Sequence, residues 1–263
     1  MNEPTMLAAR KVAPGITSLV SYIPIPGFGV LPVNAFVIHA KEPVLVDTGM
    51  AAVRPGFLRE LESVIDPKEI RWIWITHADM DHLGNFEQVL KAAPNARVVT
   101  TYIGMAKIGL HGYPLDRVFL LNPGQSLDVG DRNLLAIKPP TFDAPETTGL
   151  FDASTSTLIS ADSFGAILEQ PVDNAAEIAP AKLRDGGTLW ASIDAPWLGV
   201  ADPQKFNATL KNIDELGAST ILSSHLPVAK GMNKVLLDIL ANAYQAPTFM
   251  GPDQAALEKM MAA

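Results

Sequence analysis

Four side chains of the kind that bind metal ions fall within six positions of the segment 76–85. They are His77, Asp79, Asp81 and His82. The segment follows the apolar run 70–75, which predicts a buried strand. The first pair, two residues apart in extended backbone, projects to one side, whereas the second pair opens a predicted helix. The spacing therefore indicates two neighbouring metal positions; a polar hydrogen-bonding loop, the alternative, is less consistent with it.

Segment 76–85 resembles the metal-binding signature of the metallo-β-lactamase superfamily, His-x-His-x-Asp-His followed by a small residue. Asp79 stands where that signature has its second histidine. A carboxylate there, usually glutamate, is typical of the diiron branch: the flavodiiron oxygen and nitric oxide reductases and the related oxygen-binding diiron proteins. The resemblance implies an α/β fold, a four-layer αββα sandwich, with a dinuclear metal centre.

Three further segments are similar to superfamily landmarks, in the same order along the chain. Asp47, in Val44–Gly49, ends an apolar strand and must find hydrogen-bond donors, in the metal-ligand loop, in a simple Asp-Thr-Gly turn, or in both. Asp162 lies between a short apolar strand and Gly165, at the place of the bridging carboxylate. His225 follows another apolar strand and matches the last histidine of the pattern.

The superfamily pattern has one more histidine before Asp162, and this sequence has none there. Flavodiiron proteins place it two residues before a Pro-acid-Ser/Thr step. Aligning that step with 145–147 puts Asp143 in the histidine position. Asp143 is the expected substitute ligand, Glu146 is a weaker alternative, and a water molecule completing the shell is the third.

The implied metal ligands comprise three imidazoles and four carboxylates. They are His77, Asp79, Asp81, His82, Asp143, Asp162 and His225. Carboxylate-rich sites of mixed nitrogen and oxygen suit iron or manganese better than zinc. We therefore expect two metal ions, with iron favoured and zinc and manganese as the alternatives.

Two classes of function follow from this ligand set. In the favoured class, two irons bridged by Asp162 bind or reduce O₂ or a related small oxidant. The chain shows neither a flavodoxin-like domain nor a cysteine, so an external electron-donor protein is expected; without one the protein would bind or sense oxygen. In the alternative class, zinc or manganese activates a bridging hydroxide that attacks an ester, lactone, amide or phosphoester, with Asp81 as the catalytic residue that orients it. A degenerate centre kept for binding only is a third interpretation.

The net charge and hydropathy of the chain limit the kinds of partner that we expect it to bind. The net charge of −8 argues against nucleic-acid substrates, whose phosphates require basic surfaces. No apolar run is long enough to span a membrane and no secretory signal is visible, so we expect a cytoplasmic protein with no membrane partner. The diiron relatives commonly dimerise head to tail, and the resemblance implies a homodimer here.

A hydrophobic content of 48 % is ample for a single domain over residues 1–263. Residues 170–202, rich in proline and poor in periodicity, are predicted to form a loose lid or surface wrap. Four residues are candidates for a substrate pocket: Phe28, His111, Tyr113 and Trp197. Phe28 belongs to a Pro/Gly loop, and Trp197 could cap the metals or pack in the core. His111 and Tyr113 could donate hydrogen bonds to a bound oxygen species, or His111 could be a solvated loop residue.

Overall fold

Two β-sheets form the centre of the fold in the computed structural model, which describes residues 3–262 and the side chains of residues 3–260. The first sheet contains β1 Thr5–Met6, β2 Arg10–Ala13, β3 Ile16–Ile25, β4 Gly29–Ile38, β5 Val44–Val46, β6 Trp72–Trp74, β7 Arg97–Thr100 and β8 Val118–Leu120. The second contains β9 Ser126–Asp128, β10 Asn133–Ile137, β11 Gly149–Asp152, β12 Thr157–Ile159, β13 Thr220–Leu222 and β14 Ala229–Lys230.

The strand order places the parallel strands side by side. The first sheet runs β1-β3-β4-β5-β6-β7-β8 with β2 on β3, and the second runs β14-β13-β12-β11-β10-β9. Strands β5 to β8 pair in parallel, as do β12 and β13, whereas the other pairs are antiparallel. Because parallel strands end at the same edge of a sheet, the loops after their carboxyl ends meet there, where α/β proteins commonly bind ligands.

Helices cover the outer face of each sheet. They are α1 Arg54–Val64, α2 Met80–Leu83, α3 Phe86–Ala92, α4 Tyr102–Leu110, α5 Pro180–Asp194, α6 Pro203–Asp214, α7 Asn233–Ala243 and α8 Gln254–Ala262, with 3₁₀ turns at Ala51–Val53, Pro67–Glu69, Ala175–Glu177 and Pro196–Val200. Apolar residues of α1, α3 and α4 share one core with the first sheet, and those of α5, α6 and α7 share another with the second. A third core lies between the sheets. The fold is therefore the expected αββα sandwich.

Strand β6 illustrates why the sheets are apolar on both faces. Trp72 and Trp74 point into the core between the sheets, whereas Ile73 and Ile75 face the helical layer. Successive side chains of a strand alternate between faces, so a strand covered on both sides reads as a continuous apolar run. This burial fixes the register of β6 and so determines where its carboxyl end places His77.

The prediction of a loose stretch over residues 170–202 is wrong, because α5 occupies the middle of it. Pro180 stands in the first turn of this helix, a position that tolerates proline. Gly186 and Gly187 in its interior obscured the helical pattern, since glycine disfavours helix by about 1 kcal/mol. Their role is close packing: a Cβ on Gly186 would lie 2.3 Å from the carbonyl oxygen of Ile167.

Among residues 3–262, no helix combines the length and the apolar run that a membrane span requires.

Candidate metal centre

The predicted metal ligands come from loops that follow strands of both sheets. Residue His77 lies three positions beyond the end of β6, Asp162 three beyond β12, and His225 three beyond β13. The three side chains are buried, with Asp162 6 % exposed and each histidine 1 % exposed. The sandwich thus brings residues almost 150 positions apart in the chain to one point at its edge.

The carboxylate of Asp162 lies between the histidines and turns one oxygen to each side. Its Oδ2 is 3.2 Å from Nε2 of His77. Its Oδ1 is 3.2 Å from Nε2 of His82 and 3.3 Å from Nε2 of His225. This is the geometry that a carboxylate shared by two metal ions requires.

The remaining predicted ligands divide between the two sides. Asp81 lies with His82 and His225, and its Oδ2 is 3.5 Å from Nε2 of each; we call these three residues the His225 group. Asp79 and Asp143 lie with His77, with ligand atoms within 4.8 Å of one another; we call these the His77 group. Six of the seven predicted ligands therefore fall in two groups, and Asp162, the seventh, lies between them.

Several atoms at the junction of the groups are buried without a hydrogen-bond partner. They are Nε2 of His77, Nε2 of His82 and Oδ1 of Asp162. Buried polar atoms in folded proteins nearly always have a partner, so orphaned atoms that converge on one point require an explanation. Imidazole nitrogens and carboxylate oxygens that face one another across 3.2 Å, with no hydrogen-bond geometry, fit metal ions as the missing partners.

Hydrogen bonds to Nδ1 of His82 and His225 determine which ring nitrogen is available to bind a metal ion. His82 Nδ1 is 2.8 Å from Oδ2 of Asp47, and His225 Nδ1 is 2.7 Å from the carbonyl oxygen of Pro32. A carbonyl or carboxylate oxygen only accepts, so Nδ1 carries the proton in both rings. In the neutral form of each ring, which metal binding requires, Nε2 then has a lone pair directed at the other ligands, as in metal-binding histidines.

Asp47 ties the ligand loop to the neighbouring strand end. Its carboxylate accepts hydrogen bonds from Thr76, at 2.9 Å from the backbone N–H and 2.7 Å from the hydroxyl, in addition to the bond from His82. The residue is buried and has a positive φ of 59°. The hydrogen bonds of Asp47 support the ligand-loop role, whereas no turn is assigned at residues 47–50.

The charges at the centre favour a cation. Burial lowers the pKa of His225, but the carboxylates of Asp162 and Asp81 together outweigh burial and raise this pKa to about 9. Burial raises the pKa of Asp162, but the three imidazoles hold it well below its usual range. The pocket therefore stabilises positive charge opposite its carboxylates.

Asp143 lies in a loop that neighbouring side chains hold in place. Trp197 donates a hydrogen bond of 2.7 Å from Nε1 to the carbonyl oxygen of Phe142. The aromatic rings of the two residues also pack against each other. Lys138 donates to the carbonyl oxygens of Pro145 and Thr147. Trp197, considered as a cap over the metals, thus contacts the loop that carries Asp143.

Glu146, the alternative to Asp143, points elsewhere. It is buried with its Oε1 2.6 Å from Nζ of Lys107, and it belongs to neither group. Among the pocket candidates, His111 is exposed at the end of α4, and Tyr113 packs edge-on against Phe86. Phe28 is 36 % exposed and packs edge-on against Phe249.

Asp194 was not predicted from the sequence, yet its carboxylate has an oxygen within 4.8 Å of oxygens of Asp143 and Asp162. It is the last residue of α5 and is 6 % exposed. Burial and then the charge of Asp162 raise its pKa to about 8. Helical spacing is the sequence pattern that could have identified Asp194, because it follows Leu183, Gly187 and Ala191 on the buried face of α5. That helix was itself not predicted.

Comparison with known protein families identifies the superfamily to which this chain belongs. The profile of the metallo-beta-lactamase superfamily matches residues 28–225, which include the ligand positions of both groups and Asp162. The chain belongs to the metallo-beta-lactamase superfamily. Its metallo-beta-lactamase domain is similar in sequence and structure to the cores of flavodiiron proteins.

Two curated relatives and one solved structure illustrate that similarity. The chain is 26 % identical over 201 residues to diflavin flavoprotein A 1 of Synechocystis, covering 75 % of this chain and 34 % of the relative. It is 28 % identical over 134 residues to the anaerobic nitric oxide reductase flavorubredoxin of Pectobacterium atrosepticum, covering 50 % and 26 %. Rubredoxin oxygen:oxidoreductase from Desulfovibrio gigas superposes with a TM-score of 0.79 at 21 % identity, covering 91 % of this chain and 62 % of that one. The matches thus span about a third or less of these two curated relatives.

Proposed function

We propose that this protein holds two metal ions, iron favoured, and binds or reduces O₂ or a related small oxidant with electrons from a separate donor. The observation that carries the proposal is the Asp162 carboxylate, with Oδ2 facing His77 and Oδ1 facing His82 and His225, amid orphaned buried atoms. The similarity to flavodiiron cores supports it, since named relatives include an oxygen:oxidoreductase and a nitric oxide reductase.

The ligand chemistry supports iron over zinc. Asp79 supplies an oxygen where zinc hydrolases of this superfamily have a second histidine, and Asp143 supplies another in place of the absent one. Hard carboxylate oxygens suit iron and manganese, whereas structural and catalytic zinc sites rely on nitrogen and sulfur ligands. Two iron ions, when bound, would each supply one electron to a small oxidant.

The protein's own residues would place and shield the centre. Asp162 would fix the separation of the two ions, and Asp47 and Pro32 would hold His82 and His225 with Nε2 inward. Trp190 covers the inner side, with its ring 4.5 Å from that of His225 and its Nε1 donating to the carbonyl oxygen of Asp162. Because Asp79 and Asp143 are exposed, small molecules would reach the centre from the side of the His77 group.

The test is elemental analysis of protein purified without added metal, together with O₂ and NO consumption in the presence of a chemical reductant and a mediator. We expect about two iron ions per chain, near-ultraviolet absorption that grows on exposure to air, and consumption that stops when the iron is chelated. Stoichiometric zinc, with no consumption even after iron reconstitution, would reject the proposal. Hydrolysis of an ester or lactone by that zinc form would establish the hydrolase alternative.

We predict that Asp47→Asn weakens metal binding by roughly 10- to 100-fold. The amide would turn an N–H toward His82 Nδ1, which now lies 2.8 Å from a carboxylate oxygen. The ring proton would then move to Nε2, the nitrogen that must be free for metal. The measurement is competition with a coloured chelator. Asp116→Asn, at an exposed aspartate outside both groups, is the matched control and should bind metal like the unmodified protein.

A further inference from the structure

Asp194 is a buried carboxylate at the centre that the proposed ligand set does not use. It ends helix α5 and is 94 % buried, since only 6 % of it is exposed. One of its oxygens lies within 4.8 Å of oxygens of both Asp143 and Asp162. Asp194 is thus a buried neighbour of Asp143, through which it adjoins the His77 group, whereas Asp79 and Asp143 are exposed.

No protein group among residues 3–260 pairs with this carboxylate. Its Oδ2 is buried and accepts no hydrogen bond from residues 3–260. Across the same residues, no lysine or arginine forms an ion pair with it. A buried carboxyl group beside two other carboxylates must either stay protonated or lie against a cation.

The two groups also differ in their ligand types. The His225 group has two imidazoles and one carboxylate, whereas the His77 group has one imidazole and two carboxylates. With Asp162 and Asp194, the His77 side would offer one nitrogen and four oxygens. Five ligands, mostly oxygen, exceed the tetrahedral nitrogen-rich set that zinc prefers and suit Mn²⁺ or Fe²⁺.

We infer that Asp194 is a fifth ligand of the ion in the His77 group and shifts the preference of that position from Zn²⁺ toward Mn²⁺ or Fe²⁺. The inference rests on the proposed two-metal centre. The ligand would come from helix α5, in the helical layer that covers the second sheet. The glycines of α5 allow this helix to pack closely against the loop after Asp162.

The test measures Mn²⁺ stoichiometry and affinity by electron paramagnetic resonance and chelator competition, and then repeats the titration with Zn²⁺ as competitor. In Asp194→Asn, which preserves shape, we expect one of two Mn²⁺ ions to bind at least about 10-fold more weakly and the preference for Mn²⁺ over Zn²⁺ to fall. The control is Asp185→Asn, at an exposed aspartate of the same helix, which should change neither quantity.

Unchanged affinity for both ions in Asp194→Asn, with a raised unfolding temperature, would overturn the inference, because Asp194 would then be only a strained buried acid. A wild-type protein that binds fewer than two ions would instead reject the two-metal centre. If Asp194→Asn does not fold, Asp194→His decides: an imidazole ligand should keep two ions and shift preference toward Zn²⁺ by about 10-fold or more. No shift in that variant would also overturn the inference.

Discussion

Asp162→Ala is expected to reduce the metal content from about two ions per chain to one or none and to abolish oxidant reduction. The reason is that its two oxygens face different histidines, Oδ2 toward His77 and Oδ1 toward His82 and His225. Removing the carboxylate takes one ligand from each ion at the same time. The strands that flank it would remain paired, so circular dichroism should stay close to that of the unmodified protein.

Asp152→Ala is the matched control, because Asp152 is also a buried aspartate of the second sheet but pairs with Arg132 at 3.1 Å. Breaking that pair should lower stability by less than the about 3–5 kcal/mol of a fully buried pair, because Arg132 is partly exposed and keeps Asp131 as a partner. Both ions should remain bound. Two fully occupied metal positions in Asp162→Ala would contradict the bridging role, and metal loss in both variants would mean that stability, not ligation, controls metal content.

Gly84→Ala is expected to have the second-largest effect, on folding rather than on ligation. A Cβ at this position would lie 2.3 Å from the backbone nitrogen of Ala51 and 2.6 Å from the carbonyl oxygen of Gly49. Both are backbone atoms that cannot rotate away, so the segment between β5 and the 3₁₀ turn Ala51–Val53 must shift. Overpacking of this kind typically costs about 1–3 kcal/mol of stability, and the shift would also displace Asp47 and loosen the metal-ligand loop.

Urea unfolding of chelator-treated protein measures the Gly84→Ala effect without interference from metal loss. Gly199→Ala is the comparison, since its Cβ would meet only the Thr248 hydroxyl oxygen, at an ordinary 3.7 Å. An equal change in the two variants would mean that the close contact at Gly84 is relieved at little cost, and the steric argument would fail.

The features that could be read from the sequence are those set by local patterns. The apolar run 70–75 and the alternating ligands after it identified β6 and the loop beyond it, because a strand buried on both faces has few alternatives. The fold and the superfamily followed from that motif and its order with Asp47 and His225. Asp143 rather than Glu146 entered the His77 group, as the alignment had suggested, although its role as a ligand stays a prediction.

The features that could not be read from the sequence depend on tertiary packing. Helix α5 was hidden because Gly186 and Gly187 lower helix propensity, and only the nearby carbonyl oxygen of Ile167 explains them. Asp194 was hidden with it, since an aspartate at a helix end normally faces solvent. The contact of Trp197 with Phe142 was equally invisible, because it joins two loops 55 positions apart.

The position of the centre between strands of both sheets has a thermodynamic consequence. Loops from the first sheet carry His77 and His82, and loops from the second carry Asp162 and His225. Ions shared by these loops would act as a cross-link that only the folded chain can form, adding about 2.7 kcal/mol when free metal is 100 times the dissociation constant. Resistance to heat and proteolysis would then follow the supply of whichever metal the centre binds.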